Sequence, residues 1–134
     1  MFKRSPLAQY NQVKHDAQAE HATAHHLTLM LFDGAIENMG VANQAIAHSN
    51  FELKGHKLSG AIAIINGLRD CLDLEQGEIA INLDELYEYM VERLFQANYA
   101  SDQTTISEVR SLLQNVREAW VQIPSEVHHL SNRK

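Results

Sequence analysis

Residues 73–98, DLEQGEIAINLDELYEYMVERLFQAN, decide the fold, because apolar side chains recur there at helical spacing over a broad arc. At 100° per residue, the apolar residues of the helix that this stretch opens cover roughly 200°, about twice the stripe of an ordinary core-facing helix. They are Leu83, Leu86, Tyr87, Met90, Val91, Leu94, Phe95 and Tyr99. Half of that arc is enough to face a core. The other half is either buried inside this protein as well or exposed for a partner.

Three more segments carry apolar residues at steps of three and four, which is the spacing of one helix face. These segments are 27–46, 58–72 and 106–123. No segment alternates apolar and polar residues for long enough to predict a half-buried strand. Short loops at 49–50 and 101–104 make neighbouring helices antiparallel, and a longer connection covers 73–81. The predicted fold class is all-α, an antiparallel up-down-up-down four-helix bundle.

Polar residues near the ends of these segments predict the helix caps. Thr23 is expected to cap the first helix, and a capping box is expected where Ser49, Asn82 and Thr105 are each followed three positions later by glutamate. Pro124 is expected to end the fourth helix, because proline cannot continue the helical hydrogen bonds.

The chain of 134 residues is expected to form a single domain, 1–134, since one core suffices at this length. Residues 1–22 precede the first strong helix. Tyr10, Val13 and Ala17 recur there at helical steps, which predicts a short N-terminal helical segment in a detachable arm. Residues 124–134 are polar and are expected to form a flexible tail.

Composition excludes several classes of function. The chain has 11 Lys and Arg against 17 Asp and Glu, which argues against nucleic acid, because phosphate binding needs concentrated positive charge. The longest apolar run, 27–32, is far shorter than the ~20 residues that cross a bilayer, and the first residues lack a secretory signal. The lone Cys71 cannot form an internal disulfide and lies among apolar residues, so we expect a core cysteine and a cytoplasmic protein.

No motif predicts a metal, a cofactor or catalysis. His21 and His25 are four residues apart, but two ligands do not complete a zinc site. Glu126 and His129 form one Glu-x-x-His pair, whereas a di-iron bundle needs two such pairs and further glutamates. Glycines are scattered and form no phosphate-binding loop. We therefore expect that the protein is not an enzyme.

Association remains as the function class to consider. The first helix has a second apolar face, and the third has the surplus described above, so both are expected to border one groove; that second face comprises Leu29, Met30, Leu31, Phe32, Ala35 and Ile36. Methionine adapts to differing shapes and suits a surface that accepts an amphipathic helix, although methionine at helical spacing also occurs in plain cores.

Several stretches also resemble a known family. They are MLFDGA (30–35), LDLEQGEIA (72–80), NLDELYEYM (82–90) and VRSLLQNVREAW (109–120). In this order and spacing they resemble the flagellar secretion chaperone family FliS, and the likeness covers residues 10–123. The resemblance implies a four-helix bundle that binds the disordered C-terminal segment of flagellin in the cytoplasm, prevents its early polymerisation and supports its delivery to the flagellar type III export apparatus.

The resemblance also implies the partners and the binding surface. The partners would be the flagellin segment and components of the export apparatus, with no catalysis. Composition and segment length, as above, predict no nucleic acid and no membrane insertion, and the protein is expected to be a monomer or a weak dimer. The expected groove wall is Leu29, Phe32, Ile36, Tyr87, Met90, Val91, Leu94 and Phe95. Tyr10 and Val13 are expected to form a lid, and Asn98 either bonds the backbone of the bound segment or caps its own helix. The alternative is a structural or homo-oligomeric bundle that uses the same apolar face for self-association.

Overall fold

A computed structural model describes residues 21–123, with side chains from Ala24 onward. Its elements are four helices, α1 (His21–Ala47), α2 (Phe51–Asp70), α3 (Glu78–Ala100) and α4 (Gln103–Val121), and a short 3₁₀ turn at Leu74–Gln76. The described residues contain no strand, which confirms the all-α prediction. The predicted arm, with Tyr10 and Val13, and the predicted tail lie outside the described residues, apart from His21 and Ala22, which belong to α1.

Contacts along α1 fix the direction of its two neighbours. A Cβ on Gly34 would lie 3.4 Å from Ile64, and a Cβ on Gly60 would lie 2.7 Å from Asn38 Nδ2, so α1 and α2 run antiparallel. At Gly60 no side chain would fit without moving Asn38, so the two helices approach each other closely there. On its other side α1 packs against α4, and Asn43 near its end donates to the Ser107 hydroxyl near the start of α4 at 2.9 Å.

The remaining helix, α3, packs between α2 and α4 and lies diagonally opposite α1. Lys54, near the start of α2, bonds the backbone at Asn98, near the end of α3. Arg93 of α3 donates to the hydroxyl of Thr105 in α4 at 3.2 Å. The order of helices around the bundle is therefore α1, α2, α3, α4, with every neighbouring pair antiparallel.

The helix caps differ from the sequence predictions. Thr23 lies inside α1 and Asn82 inside α3, so neither is a cap, and the caps of α2 and α4 are Asn50 and Asp102. Ser49 is not the cap of α2 because it holds φ at 60° to turn the chain. Asp102 accepts from the backbone N–H of Thr104 and Thr105 and from the Thr105 hydroxyl. A capping box found by spacing alone misplaces a helix start when a nearby Asx residue competes for the same donors.

The core takes side chains from all four helices. The largest of those almost completely buried are Phe32, Met39, Leu58, Ile65, Met90, Leu94, Ile106, Val109 and Leu113. Cys71 is exposed just after α2, so the prediction of a core cysteine is wrong: the helix ends before Cys71, and the apolar seam no longer covers it.

Candidate functional site

One face of α3 points toward α2 along most of its length. Asp84 and Asn98 both contact α2 and are fourteen residues apart, which is almost four helical turns. Val91 lies midway between them, seven residues from each, so it shares their face. Its side chain is 8% exposed, belongs to the hydrophobic core cluster and forms the floor of the boundary between the two helices.

The facing surface of α2 is built in the same way. Arg69 contacts Asp84, and a Cβ on Gly55 would lie 4.0 Å from Asn98 Oδ1. Ile62 is seven residues from each of these α2 positions and is also nearly buried. We call the strip between Gly55–Asn98 and Arg69–Asp84 the α2–α3 seam. At 1.5 Å per residue the strip is about 21 Å long, enough for four turns of a bound helix.

Polar contacts close the seam at its ends. Lys54 Nζ donates to the Asn98 carbonyl at 2.8 Å and to the Ser101 hydroxyl at 3.1 Å. At the other end, Arg69 Nε donates to Asp84 Oδ1 at 2.9 Å and Nη2 donates to Oδ2 at 3.3 Å. This bidentate hydrogen bond lowers the pKa of Asp84 and raises that of Arg69, although desolvation opposes both shifts. Apart from a 3.8 Å approach of Arg69 Nη2 to Glu88 Oε1 beside the Asp84 end, no side-chain hydrogen bond or ion pair among the described residues joins α2 to α3 between these ends.

Aromatic side chains stand at the outer rim of the seam. Phe95 lies one helical turn beyond Val91 and is 59% exposed, and Tyr99 follows one turn later and is 95% exposed. Phe51, at the start of α2, is also exposed. The broad apolar arc predicted for this helix is therefore divided. Its inner part lies in the core and in the floor of the seam, and its outer part is an exposed aromatic edge.

Three of the expected groove residues come together here, namely Val91, Phe95 and Asn98. The Asn98 amide is partly exposed, and no hydrogen bond to it is found in the described part of the chain. Asn98 is not a helix cap, because α3 continues to Ala100 and ends at Ser101, which adopts the left-handed conformation.

Six other expected groove residues lie elsewhere. Tyr87, Met90 and Leu94 point into the core, where burial raises the pKa of the Tyr87 hydroxyl. Phe32 and Ile36 are also core residues, and Leu29 packs against that core from α1. Since α1 and α3 lie diagonally across the bundle, the prediction that both border one groove is wrong. Apolar periodicity predicts how much of a helix circumference is apolar, but it does not predict which neighbouring helix packs against each part.

We call the boundary between α1 and α4 the α1–α4 seam. Ring stacking, hydrogen bonds and an ion pair join the two helices along its length. Trp120 and His25 stack with ring centroids 5.0 Å apart, and Trp120 Nε1 donates to the His25 carbonyl at 3.1 Å. Arg110 Nε donates to the Ile36 carbonyl at 3.0 Å, and Arg117 pairs with Asp33. His25 thus has a structural contact, and among residues 21–123 no cluster of His, Cys, Asp or Glu that could hold a metal is found.

Sequence reasoning missed the α2 side of the candidate site. Gly55 and Ile62 are seven residues apart, and the small Ser59 lies between them on the same side of the helix. That stripe of small and apolar residues was the available signal, although it does not reveal which helix lies opposite.

None of the described helices is both long enough and apolar enough to cross a membrane.

Comparisons with known proteins identify the family of this chain. The family model described as flagellar protein FliS matches residues 6–127. The flagellar secretion chaperone FliS of Salmonella typhimurium (strain LT2) is 43% identical over 135 residues, covering 99% of this chain and all of the relative. FliS of Vibrio cholerae is 39% identical, covering 96% and 95%, and FliSB of Pseudomonas aeruginosa is 40% identical, covering 90% and 96%. This chain therefore belongs to the FliS family of flagellar secretion chaperones.

Proposed function

We propose that this protein is an export chaperone of the bacterial cytoplasm that binds the disordered C-terminal segment of flagellin along the α2–α3 seam. Binding keeps the segment from polymerising early and supports its delivery to components of the flagellar type III export apparatus. The family is one of chaperones and not of enzymes. The observation that carries the proposal is the seam itself, a strip about 21 Å long with a nearly buried apolar floor and a rim of exposed aromatic side chains; within residues 21–123, polar side-chain contacts join its two helices only near its ends.

The seam suits a client segment that folds into a helix as it binds. A helix laid over Ile62 and Val91 would cover Phe95, and the Asn98 amide would lie near its backbone. Such a client must be held tightly and then released, which corresponds to micromolar to nanomolar affinity, or about −8 to −12 kcal/mol. Ordering the client opposes binding by a few kcal/mol, so several apolar side chains have to be buried together. In this proposal Tyr10 and Val13 form the lid that the client displaces.

The decisive experiment measures the affinity of a flagellin C-terminal peptide by titration calorimetry. Phe95→Asp should weaken binding at least tenfold, about 1.4 kcal/mol, because it puts a charge on the rim that the client covers. Thermal unfolding of the free protein should move only slightly, since Phe95 is exposed. Val91→Asp is a poorer probe, because a carboxylate on the nearly buried floor would also destabilise the fold.

Val121→Asp is the matched control. Val121 is a similarly exposed apolar residue, but it lies at the end of α4, away from the α2–α3 seam. Its substitution should leave the peptide affinity within about twofold. Equal affinity of Phe95→Asp and the unsubstituted protein would refute binding along the seam. A tight, concentration-independent dimer in sedimentation would instead favour the homo-oligomeric alternative.

A further inference from the structure

The outer face of α3 carries glutamates between apolar side chains. Successive members of this set are three or four residues apart, so they share one stripe on the side of the helix that faces away from the core. They are Ile81, Glu85, Glu88, Glu92, Phe95 and Tyr99, all of them exposed. We call this set the outer stripe. It adjoins the α2–α3 seam, because Phe95 belongs to the stripe and to the rim of the seam.

The negative charge of the stripe is only partly neutralised within the described structure, by Arg69 near Glu88. Glu88 is spaced to repel both Glu85 and Glu92 on the same helix face. Arg69 approaches Glu88 only to 3.8 Å, because its short hydrogen bonds go to Asp84. No hydrogen bond or ion pair in residues 21–123 reaches Glu85 or Glu92.

The only basic residue of α3 is turned away from the stripe. Arg93 bonds to Gln96 and, across the boundary with α4, to Thr105 and Glu108. The outer stripe therefore has apolar side chains toward its two ends and three glutamates in its middle. The basic side chain of α3 does not reach it.

This charge pattern argues against a second copy of the chain as the occupant. If two copies paired antiparallel through the stripe, Glu88 of one would lie near Glu92 of the other. In a parallel pair each glutamate would lie near its own equivalent. Both arrangements bring like charges together, which opposes association. The occupant that complements the stripe is a different chain with positive charge.

We propose that the outer stripe binds an amphipathic helix that packs its apolar side chains on Phe95 and Tyr99 and places lysine or arginine opposite Glu85, Glu88 and Glu92. This inference rests on the proposed function in that Phe95 would contact the same bound segment. It adds the chemistry by which the segment is selected, namely basic residues at helical spacing beside an apolar face.

Two synthetic peptides test this selection. Both carry the same leucine face over about 18 residues, and the flanking positions are lysine in one and glutamate in the other. At low salt the lysine peptide should bind at least about tenfold more tightly, and the ratio should fall as salt screens the charges. Replacing Glu85, Glu88 and Glu92 together by glutamine should remove most of that ratio.

A matched control variant distinguishes the effect of the stripe glutamates on peptide preference from the effect of the protein's net charge. Replacing the exposed Glu37, Glu52 and Glu118 by glutamine changes the net charge equally but leaves the stripe intact, so the preference for lysine should persist. The inference is overturned if neither peptide binds, if both bind equally, or if the two triple variants lose the preference to the same extent.

The flagellin peptide, titrated in parallel, keeps this inference distinct from the proposed function. Loss of flagellin binding in Phe95→Asp without any change in the glutamine variant of the stripe would overturn the charge inference and leave the seam proposal standing. Preference for the lysine peptide without any flagellin binding would support the stripe and refute the proposed client.

Discussion

The α1–α4 seam and the α2–α3 seam are boundaries of the same bundle, but they are closed in different ways. Between α1 and α4, polar contacts follow one another from His25–Trp120 through Asp33–Arg117 to Asn43–Ser107. Between α2 and α3, the described part of the chain shows such contacts only from Lys54 and Arg69, at the two ends. The middle of that second seam is formed by the apolar side chains of Ile62 and Val91.

This difference shows how a small bundle can expose apolar surface and remain folded. Hydrogen bonds that reach backbone carbonyls, such as those of Ile36 and His25, fix the relative position of α1 and α4. The polar contacts at the two ends of the α2–α3 seam hold those helices in register, and the apolar surface exposed beside the seam is the aromatic rim at Phe95 and Tyr99. In the proposed function, stability is thus assigned to one side of the bundle and client binding to the opposite side.

The largest expected effect is on the free energy of unfolding, and it comes from comparing Phe32 with Phe95, which the sequence analysis placed in the same groove. Phe32 is 1% exposed beneath the α1–α4 seam, and its ring meets Trp120 edge-on with centroids 6.1 Å apart. Phe32→Ala should lower the free energy of unfolding by about 3–5 kcal/mol, because it leaves a cavity in the core. Urea denaturation measures this change.

Phe95→Ala is the companion variant on the other seam. It should change the free energy of unfolding by about 0.5 kcal/mol or less, since most of the ring is already in water, and it should weaken flagellin peptide binding. If both substitutions destabilise the fold equally, the assignment of stability and binding to separate sides is contradicted.

A smaller effect compares two glycines of α2. Gly55→Ala should raise the free energy of unfolding by about 0.5–1 kcal/mol, because the helix gains from alanine and the α2–α3 seam has room for a methyl group. Gly60→Ala should lack this gain, because the new Cβ would lie 2.7 Å from Asn38 Nδ2. Thermal unfolding of the two variants, side by side, measures the room at each helix boundary. Equal gains would show that Asn38 moves aside freely.

The smallest effect concerns acid and the start of α4. Hydrogen bonds from the Thr105 side chain and backbone lower the pKa of Asp102 in the folded protein. This carboxylate therefore stabilises the fold fully above its unfolded pKa of about 3.9, and the stabilisation is lost as the pH falls through the lower, folded value. In Asp102→Asn the side-chain amide oxygen would still cap α4, but the amide would not titrate.

Melting temperatures between pH 2 and pH 7 test this effect in Asp102→Asn. The unsubstituted protein should lose its advantage over the variant below about pH 4, where its carboxylate takes up a proton. A constant difference in melting temperature between the two proteins from pH 2 to pH 7 would contradict the contribution of Asp102. Either result would leave the two-seam comparison intact, because Asp102 lies in neither seam.

Much of the fold follows from apolar spacing. Each of the four predicted segments corresponds to a helix, and the short loop at residues 49–50 is confirmed to within one residue. The caps were less predictable, because Asn50 and Asp102 stand close to serines and threonines that fit the same pattern. Cys71 was misjudged because an apolar neighbourhood in sequence does not show where the helix stops.

The candidate site was predicted only in part, and the division between sequence and structure has a physical cause. Helical periodicity is a local property, so the sequence by itself determined four amphipathic helices, the breadth of the α3 apolar face and the resemblance to the FliS family. Which neighbour covers each part of that face depends on how the helices are arranged around the core. Only the tertiary structure decided that Phe32 and Met90 are buried, that Val91 and Phe95 line the α2–α3 seam, and that α2 supplies its other side.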